Sequence, residues 1–113
     1  MRIGTVRRPP RGVPRSEFAS RNYYDVWLPN LAPSASLMTE GRNAVTEAEW
    51  HHFAKAYRRE MNEPDASRVI DLLAALSHTT AFALGCYCDD ERHCHRGILR
   101  ELLSDRGAAI EAA

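Results

Sequence analysis

The chain has 113 residues, 44% of them apolar and 27% charged, with 15 basic and 15 acidic side chains. That length suits one soluble domain with its own core, spanning 1–113, and is short for two. Zero net charge supplies no bulk field toward nucleic acid or a membrane surface. No window is apolar enough to span a bilayer, and the N-terminus lacks the hydrophobic region of a signal peptide, so the chain reads as cytoplasmic. In a reducing compartment its three cysteines are expected to be free thiols.

The charge is unevenly placed. Arg2, Arg7, Arg8, Arg11, Arg15 and Arg21 face only Glu17 within the strand and loop region 1–21. Arginine-rich loops on neutral proteins are most often solvated or paired within the fold, so nucleic acid is not the expected partner.

Ile3 to Val6 has room for a short strand before Pro9, Pro10, Gly12 and Pro14 impose a loop. Tyr23-Tyr24-Asp25-Val26-Trp27-Leu28 is aromatic and β-branched, and Pro29 ends it, which predicts a second strand. Asn30 to Arg42, with Pro33, Ser34, Ser36 and Gly41, reads as mostly loop with room for one helical turn. A helix follows: Thr46 caps it, Glu49 completes a capping box, and Trp50, Phe53, Tyr57 and Met61 recur at helical spacing.

Asn62-Glu63-Pro64 closes that helix, and Asp65 or Ser67 caps the next. Its buried face is expected to hold Val69, Ile70, Leu72, Leu73 and Leu76, with an end near Ser77-His78. Thr79 to Cys88 predicts a strand with Phe82, Leu84, Cys86 and Cys88 on one face and Ala81, Ala83 and Gly85 on the other. A strand apolar on both faces is usually central and parallel to a neighbour. Ile98, Leu99, Leu102 and Leu103 mark a last helix, ended by Gly107. Together these elements predict a small α/β domain of two or three layers, a short mixed or parallel sheet flanked by three or four helices.

Chemistry concentrates in Leu84-Gly85-Cys86-Tyr87-Cys88-Asp89-Asp90-Glu91-Arg92-His93-Cys94-His95-Arg96, which holds every cysteine of the chain. The segment runs from the carboxyl end of a strand into a helix start, where open α/β sheets place their ligands. A helix N-terminus and a nearby guanidinium both favour thiolate over thiol, so Cys94 is a candidate nucleophile. His95 joins it as a catalytic candidate, and Arg96 suits a phosphate or carboxylate. Tyr24 and Asp25 would join this site if the two main strands were neighbours, with Arg21 or Arg96 as partner for the Asp25 carboxylate.

A metal reading uses the same residues differently. Cys86, Cys88, Cys94 and His95, with His93 in reserve, offer a thiolate and imidazole set that suits zinc or iron. The spacing is not a standard zinc pattern, since no Cys-x-x-Cys is present. In a third reading the cysteines are plain packing, and the arginine-rich arm or the Trp27 region meets a protein partner. A chain this short, with Trp27 and Pro29 open to solvent, is also compatible with a homodimer. His51 and His52 read as surface residues, not spaced as a metal pair, and His78 as a helix-end residue.

Tyr24-Asp25-Val26-Trp27-Leu28-Pro29, Leu31-Ala32-Pro33-Ser34, Phe53, Tyr57-Arg58-Arg59-Glu60-Met61, and Leu84-Gly85-Cys86-Tyr87-Cys88 with Cys94-His95-Arg96 carry a likeness. They resemble the YeaO-like group of bacterial proteins, within the domain-of-unknown-function family numbered 488, from Ile3 to Gly107. The resemblance implies a small cytoplasmic α/β domain and brings no established activity. The YeaO-type pattern typically has Asn-His-Ala where this chain has Cys94-His95-Arg96, and Trp-Pro-Arg-Gly where it has Trp27-Leu28-Pro29-Asn30. The Cys-His-Arg form resembles the other branch of the family. A catalytic role for Cys94 then cannot be general to the family, whereas His95 has a counterpart in both branches.

Overall fold

A computed structural model of the chain describes residues 1–21, 23–85 and 94–110. Three short strands, β1 (Arg2–Gly4), β2 (Val26–Trp27) and β3 (Ala83–Gly85), form a parallel sheet in the order β2-β1-β3. Four helices complete the small α/β domain: α1 (Ala35–Asn43), α2 (Glu47–Met61), α3 (Pro64–Leu76) and α4 (His95–Asp105).

Strand β1 is the middle of the sheet, and its pleat separates two hydrophobic groups. Ile3 joins the main core with Leu37 of α1, Phe53 and Tyr57 of α2, Ile70 of α3 and Leu99 of α4. Val6, on the alternate side of the extended backbone, packs with Phe18 and Tyr24 from the loop that leads to β2. The helices thus cover one face, and a loop covers the other. Gly4 shares the loop side, where the Tyr24 ring lies so close that a Cβ on Gly4 would sit 2.4 Å from its Cδ1.

The predicted capping box of α2 is present. The Thr46 hydroxyl accepts from the Glu49 N–H at 3.1 Å, and Glu49 Oε1 accepts from the Thr46 N–H at 3.1 Å. Phe53, Tyr57 and Met61 are buried along one stripe, as the spacing predicts. Gly107 ends α4 at φ +80°, where the N–H groups of Gly107 and Ala108 close back on the carbonyls of Ser104 and Leu103.

Five expectations are corrected. The segment read as loop before Arg42 contains the nine-residue α1, because Ser34 caps it by accepting from the Leu37 N–H. Ser34 is in turn held by Glu60 of α2, through its N–H at 2.9 Å and its hydroxyl at 2.5 Å. A tertiary contact thus builds a helix that local composition disfavours. Helix α3 begins at Pro64 with Glu63 as its cap, ahead of Asp65 and Ser67, because proline at the first position gives up only an N–H that would be orphaned anyway. Leu72 is 59% exposed, since the buried stripe runs through Ala66, Ile70, Leu73 and Ala74 and leaves it on the far side. Finally, β3 is an edge and β1 is central among the described residues, because β1 pairs with β2 through Ile3 and Gly4 and with β3 through Arg2, Ile3 and Gly4. Trp27 is also half-buried instead of open, its Nε1–H donating to the Val6 carbonyl at 2.7 Å.

Two outcomes follow from this packing. Gly4→Ala should lower unfolding free energy by about 1–3 kcal/mol, the usual cost of overpacking, in a urea titration. The backbone N–H of Thr46, foremost, holds the Glu49 carboxyl below its ordinary pKa. A lowered folded pKa adds stability above the ordinary glutamate range and loses it as pH falls through the folded value. The difference in Tm between the wild type and Glu49→Gln should therefore be present at neutral pH and vanish in acid.

Candidate functional site

The buried polar centre of the molecule lies at the carboxyl edge of the sheet, where the chain leaves β1 at Thr5 and enters α4 at Cys94. Thr5 is fully buried; its N–H donates to the Gly85 carbonyl at 2.9 Å and its hydroxyl lies 3.1 Å from the same oxygen. The first residue of α4, His95, is only 4% exposed and points inward. Its Nε2 lies 2.9 Å from the Thr5 carbonyl and 2.9 Å from the Thr5 hydroxyl, and the edge of Tyr57 packs against the ring.

A carbonyl oxygen can only accept, so Nε2 carries the proton. In a neutral imidazole that leaves Nδ1 as the basic nitrogen. Nδ1 faces Cys94 Sγ at 3.8 Å. The strand therefore sets the tautomer of the ring, and the tautomer presents a lone pair to the thiol. Cys94 is the N-cap of α4, and its side chain makes no capping bond to the helix.

Cys94 forms part of the floor of a cavity of about 830 Å³ between α2 and α4. Trp50, His51, Arg58, Arg100 and Glu101 line it too, and Arg58 and Glu101 form an ion pair. Sequence reasoning missed Arg58 and Arg100 as site residues and read His51 as plain surface. The helical spacing of Trp50, Ala54 and Arg58 puts these side chains on one side of α2, but nothing in the sequence says that this side faces Cys94.

Cys94, His95 and Arg96 do not converge on one point. Cys94, in extended backbone just ahead of the helix and only 2% exposed, lines the large cavity, His95 at the first helical position faces the strand, and Arg96, about 100° further round, faces elsewhere. Arg96 lines a second cavity of about 280 Å³ with Phe82, Leu84, Leu103 and Ile110. Arg100, one turn on, reaches both cavities.

Strand β1 separates β2 from β3, so Tyr24 and Asp25 are not brought beside the Cys94 segment as neighbouring strands would bring them. Tyr24 is buried against Phe18 and Gly4. Asp25 pairs with neither Arg21 nor Arg96: its Oδ2 accepts from the Arg2 N–H at 2.7 Å, and the Arg2 guanidinium lies 3.6 Å from Oδ1. The Arg2 N–H, foremost, holds this carboxyl below its ordinary pKa. Cys86, Cys88 and His93 lie outside the described residues. Among the described residues no three His, Cys, Asp or Glu side chains gather as a metal site would need.

These features define a small parallel α/β domain with a buried histidine bridging its central strand to a cysteine at a helix start. The chain belongs to the DUF488 family: the model DUF488-N3a, described as the active DUF488-N3 subclade, matches residues 1–107. The finer likeness to the YeaO-like group rests on the residues quoted above. No curated protein and no solved structure matches the chain. No helix among the described residues is long and apolar enough to cross a membrane.

Long-range ¹⁵N–¹H spectra should show the neutral imidazole of His95 as the Nε2–H tautomer. His95→Phe leaves the buried Thr5 carbonyl without that donor and should cost about 1–3 kcal/mol in urea unfolding. Thr5→Val keeps the carbonyl and should cost less, about 1 kcal/mol.

Proposed function

We propose that the protein is a thiol-dependent enzyme acting on a small anionic ligand, with Cys94 as nucleophile and His95 as its base. The observation that supports this reading most is the tautomer: Nε2–H held by the Thr5 carbonyl directs the basic Nδ1 at the Cys94 sulfur. Nucleophile, base and orienting acceptor in series form the arrangement that activates cysteine elsewhere. A position at a helix N-terminus adds to the preference for thiolate.

In this reading the Cys94 proton passes to Nδ1, and the sulfur bonds to an electrophilic centre of the ligand. The departing group then takes the proton back from the imidazolium. Arg58 and Arg100 line the cavity that holds Cys94 together with Glu47 and Glu101, so a phosphate or carboxylate group would draw Arg58 from its ion pair with Glu101. Arg96 reaches this ligand only if the ligand extends toward β3. Asp25 takes no part, its carboxylate being engaged with Arg2. The description of the matched subclade as active agrees with a chemical role.

Methyl methanethiosulfonate labelling, read peptide by peptide, tests the reading. Cys94 should react faster at pH 7 than an ordinary thiol of pKa about 8.5, and His95→Gln should slow it at least about tenfold. Glutamine keeps an N–H for Thr5 and removes the basic nitrogen. Millimolar phosphate should protect Cys94, and Arg58→Ala should weaken that protection. A Cys94 that labels no faster than in unfolded protein would sink the reading. One equivalent of zinc or iron, retained without added metal and lost in Cys88→Ser, would replace it with a site built from Cys86, Cys88, Cys94 and His95.

A further inference from the structure

Arginine supplies 14 of the 15 basic side chains, and six of them lie in the first 21 residues against a single acid, Glu17. The rest of the chain carries 14 acids and nine bases, so a neutral protein is divided into a basic part and an acidic part. The zero net charge that argued against a polyanionic partner hides this division.

Two of the six arginines hold the fold. Arg2 is engaged with Asp25 and the Ala19 carbonyl, and Arg7 turns back to the Pro33 carbonyl at 2.6 Å and the Ala32 carbonyl at 3.3 Å. Arg8, Arg11, Arg15 and Arg21 are exposed, and their guanidinium groups meet no acidic side chain or carbonyl among the described residues. Glu17 is exposed and pairs with none of them.

The loop that carries these four is pinned, not loose. A 3-10 turn at Arg15–Glu17, the Tyr23 N–H on the Phe18 carbonyl at 2.8 Å, and the edge-on Phe18–Tyr24 pair fasten it to the sheet. Holding four like charges on an ordered loop costs repulsion, which a bound polyanion would relieve. Guanidinium groups grip phosphate oxygens through two parallel hydrogen bonds, which lysine does not.

We propose that the loop spanning 8–21 binds the phosphodiester backbone of nucleic acid. An anionic membrane surface fits less well. Basic segments that lie on membranes present large apolar side chains for insertion, whereas Phe18 is buried and Val13 packs against the same cluster. The exposed ring next to the loop is Tyr23, which suits stacking on a base. The proposal stands on charge and exposure and does not rest on the chemistry of Cys94.

Fluorescence anisotropy with a labelled 20-nucleotide single strand, over a range of salt, tests this. The fourfold variant Arg8→Ala/Arg11→Ala/Arg15→Ala/Arg21→Ala should bind at least about 30-fold more weakly at 50 mM salt, and its log–log salt slope should be smaller by roughly two to three. Arg42→Ala/Arg68→Ala should bind like the wild type. Because the fourfold variant could fold poorly, phenylglyoxal labelling of the wild-type protein provides a second reading. The oligonucleotide should protect arginines within 8–21. The proposal fails if the wild type does not bind at 50 mM salt, if the fourfold variant binds equally well, or if protection falls elsewhere. It fails too if phosphatidylserine vesicles are bound and the oligonucleotide is not.

Discussion

The hydrogen bond from His95 to the Thr5 carbonyl is the contact on which the arrangement of this molecule turns. It ties the first turn of α4 to the end of the central strand, between residues 90 apart in sequence. Both partners are buried, so water cannot replace either one, and leaving a buried carbonyl unpaired costs about 1–3 kcal/mol. Gly85 then receives both the N–H and the hydroxyl of Thr5, which locks β3 to the same point. Strand, helix start and edge strand meet in one network, and Tyr57 closes its apolar side.

That network gives the cysteine its setting. A thiol at a helix start is an ordinary feature. A thiol facing the lone pair of an imidazole whose other nitrogen is fixed by backbone is a more specific one, because rotation or tautomerisation of the ring would give up a buried hydrogen bond. The adjacency of Cys94 and His95 in sequence also matters. One helix start carries both groups, while the strand supplies the third member, so their geometry depends on how α4 docks and little on any flexible loop.

The same strand divides the labour of the fold. On its helix-facing side, Ile3 and Thr5 serve the core and the polar network; on the other, Gly4 and Val6 accept Tyr24 and the loop that follows β1. A four-residue stretch thereby positions both the thiol and the arginine-bearing surface. This economy suits a short chain, whose core cannot support separate scaffolds for separate tasks.

How much of this was legible beforehand differs by residue. The capping box of Thr46 and Glu49, the Phe53-Tyr57-Met61 stripe and the Gly107 stop depend on residues within a few positions of one another, and local pattern alone revealed them. The position of Cys94 and His95 at the start of the last helix was legible in the same local way. Helix α1 was not legible because Glu60, 26 residues away, secures its cap. The strand order, the placement of Asp25 on Arg2 and the meeting of Cys94 with Arg58 and Arg100 also depend on pairings between distant segments. The sequence by itself determined which segments other than α1 would be helix or strand and which residues could do chemistry, because those properties are local. Only the tertiary structure decided which nitrogen of His95 faces the sulfur and which arginines share its cavity, because those are facts of packing across the whole chain.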